Sequence, residues 1–592
     1  MMISSSGMSR RWFWFLFFTI VLIASVLRFW QLGHIPVSVY WDEVAMMVDI
    51  RSVLSTGLDM HGRPWFQLIY PSYGDYKLPV YIWAAIASSK IFGLSEFSLR
   101  LPSALAGIAT IVIGGTLARV LLQIAAVRQY SSKSLDTIQL AVMAVIASSP
   151  WSVMFSRTAF EGHLGQTLLG FSILLAAWGL HKQKNWLVLA AAFGGALATY
   201  SYYSVRFVWL AVFIGLCVLD IFHQYQALTS KTNSQSALHL LPKFKNKLFL
   251  MVVSAVLFGV CLVPLLRSPL SKDADRFRLG TDSVLNNDEL VIQSNLYREV
   301  AGNTRLDRLF YNQKWLLIRE LLKNYSDNLS PAFLFVTGDP NLRHGTSQNG
   351  LFFFALLPIF AIGSTVLLKR HFPLAVFLLL WWLAALLPAS VPENTPHALR
   401  SLNALIPLSI TIGFGLAWLW QKLEHNLARG ILVSILGFSL IQFWSFYTVV
   451  YPTLSANDWQ SGFRAVAQST IAETKNQQHV YLEEFDDRFY LWLMAYGPYD
   501  GNDFHQWQSN DYKFVTASKE SNFANISFKL PIDERLAEEL SNNQSVTLIG
   551  RTLELQAKCA AATLYTCQFT AIPDETGTEK FVIAHLQLHT RP

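Results

Sequence analysis

The sequence predicts a polytopic α-helical membrane protein with a small α/β domain at its C-terminal end. Three observations carry this. Of 592 residues, 52% are hydrophobic and only 14% are Asp, Glu, Lys or Arg, against roughly 25% charged in soluble domains. The mean hydropathy is positive, at +0.33. The charges are also uneven: they gather in short islands between apolar runs near the roughly 20 residues that a helix needs to cross a bilayer. Nineteen Trp and 21 Tyr suit two membrane interfaces, where amphipathic rings settle. A net charge of +7 reads as a bias of the cytoplasmic loops, not as a nucleic-acid surface.

Apolar runs place about eleven transmembrane helices, at 12–30, 98–122, 137–154, 163–180, 186–200, 205–222, 248–266, 350–368, 372–388, 401–420 and 430–450. Arg10 and Arg11 precede the first run, and Arg28, Phe29 and Trp30 follow it in place of a small-residue cleavage site. That run is therefore a retained helix. Lys and Arg in the short loops, such as Lys182, Lys184, Lys243 to Lys247 and Lys369 to Arg370, set the N-terminus inside. The chain is then a multi-pass plasma-membrane protein with its tail outside. Two long segments, 31–97 and 267–349, are extracytoplasmic loops. The apolar stretch 78–94 is short and interrupted, and reads as a helix lying at the interface. Counting it as a span would move the later basic loops to the wrong side. The membrane domain is thus 1–450.

Composition changes at 451–592. Residues 480–482 and 545–549 read as strands and 532–540 as helix, giving a small soluble extracytoplasmic domain. Four Cys make no disulfide framework or metal cluster. Cys217 and Cys261 lie in apolar runs, and Cys559 and Cys567 lie close enough in the tail for one local disulfide.

The chemistry should lie where ionisable residues meet the membrane, because charge near a bilayer core is costly and tends to mark function. In this topology Asp42, Glu43, Lys77, Arg157, Glu161, His163, Arg206, Arg343, His344, His397 and Arg400 all fall near the outer surface. Asp42 and Glu43 suit a general base; the plainer reading makes Asp42 a helix N-cap. Lys77 suits a phosphate, or merely snorkels. Arg157 suits an anionic head group, or pairs with Glu161 four residues on. Asp273-Ala274-Asp275 matches a metal-binding DxD pattern without a βαβ context and reads as chance. P-loop, HExxH, GxSxG and zinc spacings are missing from the sequence.

Several segments in order resemble a known family. They are Trp41-Asp42-Glu43, His61-Gly62-Arg63-Pro64, Tyr76-Lys77-Leu78-Pro79-Val80-Tyr81 and Phe92-Gly93-Leu94-Ser95-Glu96-Phe97-Ser98-Leu99-Arg100-Leu101-Pro102. Ser149-Pro150-Trp151, Phe155-Ser156-Arg157, Phe160-Glu161 and Pro396-His397-Ala398-Leu399-Arg400-Ser401 extend the match. The sequence resembles the bacterial glycosyltransferase family 39 proteins, relatives of the protein O-mannosyltransferases and of the lipid A aminoarabinose transferase. The likeness is strong over about 30–210 and patchy to about 420. It implies a GT-C fold, a polyprenyl-phosphate sugar donor and inverting transfer to an acceptor hydroxyl of a protein, lipid or glycan at the outer face.

On that resemblance Asp42 is the acidic residue of the first loop and the expected catalytic base, with Glu43 beside it. Lys77, Arg157 and Arg400 hold the donor phosphate. Asp75, Glu161, His163, His344 and His397 are expected to line the substrate site. Relatives often carry an acidic residue directly before the lysine; here Tyr76 stands there and Asp75 lies one place further back. No cofactor is certain, and the resemblance leaves open a divalent metal. Two rival readings have the same helix count: a transporter or flippase of polyprenyl-linked lipid, and a non-catalytic cell-envelope assembly protein. A transporter favours charges near the midplane, whereas these gather at one face.

Overall fold

The apolar runs fold as helices, and the charge islands mark most of their ends. The computed structural model describes residues 9–588 apart from 73–74, 126–129, 230–240, 282, 476–478, 484, 486–487, 508–522, 524, 529–532 and 542–545. The first part of the chain forms α1 (Arg10–Phe29), α2 (Trp41–Thr56), β1 (Tyr70–Ser72), β2 (Asp75–Lys77), α3 (Pro79–Phe92), α4 (Glu96–Ala125), α5 (Ser132–Ser148), α6 (Pro150–Phe155), α7 (Glu161–Lys182), α8 (Asn185–Thr199) and α9 (Val205–Thr229). Later apolar helices are Leu241–Arg267, Leu357–Arg370, Phe372–Leu386, Leu405–Lys422 and Asn426–Ser445.

Helix stands at each of the eleven expected positions. Among the described residues eight helices are long and apolar enough to cross a membrane. The other three, α5 with 17 residues, α8 with 15 and Leu357–Arg370 with 14, are shorter than the roughly 20 residues of a full span. The expected run 137–154 is two helices. Pro150 has no N–H to donate and cannot sit inside a helix without a clash. It starts α6 at N1, and Ser149 caps that helix by accepting from the Ser152 N–H. At 14 residues, α3 is about 21 Å long at 1.5 Å per residue, short of the roughly 30 Å hydrocarbon core.

The chain divides into two compact units. The first comprises Met1–Trp30, Leu78–Tyr81 and Arg100–Tyr447. Its inner helices are α4, α7 and Leu405–Lys422. By contrast, α1 exposes Trp12, Phe15, Phe18 and Leu22, and Asn426–Ser445 exposes Leu427, Phe438 and Ile441, side chains fit for lipid. Close helix contact relies on small residues: a Cβ on Gly363 would lie 2.1 Å from the Thr411 carbonyl oxygen. The segment 267–349 folds into helices of its own, Pro269–Thr281, Asp288–Ala301, Arg305–Phe310, Gln313–Asp327 and Pro331–Phe335.

The second unit comprises Gln31–Lys77, Ile82–Leu99 and Thr448–Pro592. The tail enters it at Thr448 and shares it with the first loop. The tail holds a mixed sheet of order β4-β3-β5-β7-β6, formed by β3 (His479–Leu482), β4 (Ile526–Ser527), β5 (Val546–Arg551), β6 (Tyr565–Pro573) and β7 (Glu579–Leu588). β3 runs parallel to β4 and β5, whereas β7 is antiparallel to β5 and β6. The expected strands are β3 and β5, and the expected helix is Asp533–Ser541. Tyr481, Leu536, Leu548, Leu555, Val582 and Ala584 form its core. Cys559 and Cys567 are joined as a disulfide.

Candidate functional site

In the second unit, the first loop builds a carboxylate–lysine–carboxylate cluster. β1 and β2 form a short antiparallel hairpin that pairs Tyr70 with Lys77 and Ser72 with Asp75. Alternate residues of a strand share a face, so Asp75 and Lys77 point the same way and Tyr76 points away. The Lys77 ammonium lies 2.9 Å from Asp75 Oδ2 and is ion-paired with Asp42 Oδ1. Lys77 is only 6% exposed. An ammonium so buried persists only with opposite charge in contact, so Lys77 is held in place and does not snorkel. Asp75, one place further back than the acidic residue of the relatives, is thus the carboxylate of this strand that meets Lys77.

The N-cap reading of Asp42 does not hold. Trp41 is already helical and Tyr40 is the cap residue. Asp42 and Glu43 occupy the first turn of α2, where negative charge favours the helix dipole. Adjacent helical residues diverge by about 100°. Asp42 therefore meets Lys77 while Glu43 is fully buried.

The tail braces α2. Arg488 lies 4.1 Å over the Trp41 ring, and the Trp41 N–H donates to Gln460 Oε1 at 3.0 Å. Arg51 donates to the carbonyls of Ala495 at 2.6 Å and Gly497 at 2.8 Å. Glu96 accepts from Tyr496 Oη at 2.8 Å and from Arg464 at 3.0 Å. Deeper in α2, Asp49 is buried. Burial, with Asp59 beside it, holds its carboxyl well above the usual carboxylate range, and the Met60 N–H donates to it at 3.1 Å.

In the first unit a second cluster forms where two segments meet. His344 and His397 stack with ring centroids 4.7 Å apart. Asp339 joins them, and its Oδ2 is 3.5 Å from His344 Nδ1. These three offer ligand atoms all within 4.8 Å of one another, a group able to hold a metal ion. Asp339 also accepts from the backbone N–H of Ala398 at 2.7 Å and of Asn341 at 2.9 Å. Burial, then the neighbouring His344, Arg400 and Arg343, hold His397 well below the usual imidazole range. Asp339 was not among the residues singled out from sequence. Its only local sign is an Asp-Pro step in a long polar segment, and its partners are distant in the chain.

Arg157 and Glu161 do not share a helix face, because residues 156–160 separate α6 from α7. Arg157 is buried and donates to the carbonyls of Leu27 at 2.9 Å and Trp30 at 2.6 Å, at the end of α1. Its guanidinium lies 5.6 Å from the rings of both Trp444 and Tyr447. Arg28 works similarly, donating to Ala147 O at 3.3 Å and Ser152 Oγ at 2.8 Å beyond the end of α5. Glu161 begins α7, and its carbonyl accepts from Ser201 Oγ at 3.1 Å. His163 is fully buried inside α7, away from the open surface expected of a substrate contact. Of the DxD pair, Asp275 meets Arg206 at 3.1 Å. An apolar groove of about 320 Å³ is lined by Val212, Gly215, Tyr325, Phe377 and Trp381.

No family model matches the sequence, and no curated protein is significantly similar to it. Solved structures are. ArnT from Cupriavidus metallidurans in the apo state is 14% identical, with 97% of this chain and 98% of that one covered and a TM-score of 0.50. The chain has the polytopic membrane fold of ArnT. The same protein bound to undecaprenyl phosphate gives 13% identity, 98% coverage of each chain and a TM-score of 0.49. The archaeal oligosaccharyltransferase AglB from Archaeoglobus fulgidus, in complex with an inhibitory peptide and a dolichol-phosphate, gives 14% identity, coverage of 98% of this chain and 75% of that one, and a TM-score of 0.43.

Proposed function

We propose that this chain is a glycosyltransferase. It moves a sugar from a polyprenyl-phosphate donor to an acceptor hydroxyl at the outer membrane face, with inversion. The observation that carries the reading is Lys77 set between Asp42 and Asp75 in the first loop of a chain with a GT-C fold. In the reaction the acceptor oxygen bonds to the anomeric carbon while the bond from that carbon to the phosphate oxygen breaks. The phosphate leaves with the electron pair, and the acceptor proton passes to a carboxylate.

Lys77 and Asp42 divide this work. Cationic donors aimed at the leaving phosphate stabilise the charge that develops there. A phosphate arriving at Lys77 competes with Asp42 for the ammonium. Its binding therefore frees Asp42 to take the proton from the acceptor. Asp75 keeps Lys77 in place during the exchange. The anion-binding role of Arg400 belongs to the same reading. Arg157, with two donors on the end of α1, fits a positioning role better than direct phosphate contact. A donor with a long isoprenoid tail keeps its head group at membrane level.

The test is transfer by the purified chain with a panel of polyprenyl-phosphate sugars, following release of polyprenyl phosphate. Release that depends on an acceptor supports the reading. Movement of intact donor across proteoliposomes, with no release, identifies a transporter instead. Binding with neither activity identifies an assembly protein.

A further inference from the structure

We infer that Asp339, His344 and His397 form a binding site for a divalent cation of the zinc class. The argument starts from the donor set. Two imidazoles and one carboxylate favour Zn²⁺, Co²⁺ or Ni²⁺ over Mg²⁺ or Ca²⁺, which prefer all-oxygen shells. The three candidate ligand atoms lie within 4.8 Å of one another. Tetrahedral zinc with bonds of about 2.0–2.1 Å needs them somewhat closer, which small rotations of the two rings supply.

The surroundings are built as the outer shell of a metal site usually is, with partners that fix each ligand. The Asn341 and Ala398 N–H groups hold the two Asp339 oxygens. The His397 backbone N–H donates to Asn328 Oδ1 at 2.9 Å. Trp151 Nε1 donates to the Ala398 carbonyl at 3.0 Å. Phe155 stacks on the His344 ring, centroids 5.9 Å apart, and Phe160 meets it edge-on at 5.6 Å. The Arg400 N–H approaches His397 Nδ1 at 3.5 Å, which turns Nε2 to the metal.

The plainer reading is a loop tie, with His344 donating to Asp339. A tie needs one imidazole. It does not account for the second ring stacked on the first beside Arg343 and Arg400. Three protein ligands also leave a fourth position, as in sites where a metal binds a reacting group. The nearby guanidiniums suit an anionic oxygen there. The metal site stands without the transferase reading.

The experiment is metal analysis of the full-length protein, purified with a tag that contains no histidine and dialysed against a weak chelator. One zinc per chain is expected, and Co²⁺ substitution should give the visible bands of a tetrahedral nitrogen–oxygen site. His344→Ala and His397→Ala should each weaken zinc by more than the roughly 10–100-fold that loss of an outer-shell partner costs. His344→Gln guards against misfolding: it should elute as a single species and still fail to bind. His181→Ala should bind as wild type does. Zinc retained equally by wild type and both alanine variants, or no zinc and no cobalt spectrum in wild type, would overturn the assignment. Neither result bears on transfer by Asp42 and Lys77, which is read separately by release of polyprenyl phosphate.

Discussion

The two polar clusters differ in the groups they bring together. Around Lys77, two carboxylates meet one ammonium. Around His397, one carboxylate meets two imidazoles with Arg343 and Arg400 close by, so that group is electron-pair-rich yet cationic in its surroundings. The first suits proton transfer coupled to phosphate arrival. The second suits a metal with an anionic ligand. On the proposed readings, similar residue types serve separate chemistry, and their immediate partners decide which.

The largest effect expected is on transfer. Asp42→Asn keeps the length and shape of the side chain and removes the base. Turnover should fall on the order of 10²–10⁴-fold, the usual contribution of a general base, in a protein that still folds. Wild-type turnover in this variant would pass the role to Glu43 or to another group. Next comes Lys77→Ala, which should weaken donor binding as well as turnover, because a buried cation is lost and two carboxylates are left facing each other. Lys77→Arg should keep part of the activity, since charge is retained but the geometry is not. Donor affinity unchanged in Lys77→Ala would remove this residue from the phosphate site.

Smaller effects belong to the brace. Arg51→Ala removes two hydrogen bonds from a charged group to the Ala495 and Gly497 carbonyls, each worth about 1.5–3 kcal/mol. Thermal unfolding should shift down, and transfer should fall at temperatures well below the transition. Normal stability and activity would show that the tail does not hold α2.

Asp49 gives the smallest and most specific signal. Its carboxyl is raised in the folded chain by burial and by Asp59. A raised acid contributes stability that is full below the unfolded value and is lost as pH climbs through the folded one. Wild type should therefore lose stability as pH rises above the ordinary carboxylate range, and Asp49→Asn should flatten that slope. Parallel melting curves across pH would contradict this.

Much of the fold was legible because membrane helices announce themselves through length and apolarity. Every expected run is helix, and Asp42, Asp75 and Lys77 meet as a set, because two of them lie on one strand face. The proline break at Pro150 was also written locally, but the apolar run masked it. Residues that depend on distant partners were not legible. Asp339 gains its meaning from Ala398 and His344, and Arg157 from the carbonyls that end α1. The union of α2 with Arg488, Gln460 and Ala495 crosses more than 400 residues, which no local period records. The plainer cap reading of Asp42 missed by two residues, since Tyr40 is the cap and helix starts are set by backbone angles that the side-chain pattern does not fix.

The most direct measurement of the central claim is donor affinity in Asp42→Asn, taken beside its transfer rate. If phosphate competes with Asp42 for Lys77, removing that carboxylate charge should leave donor binding as tight as in wild type or tighter, while transfer is nearly abolished. Donor binding lost together with transfer would contradict the account, because Asp42 would then be holding Lys77 for the donor and not waiting to be released by it.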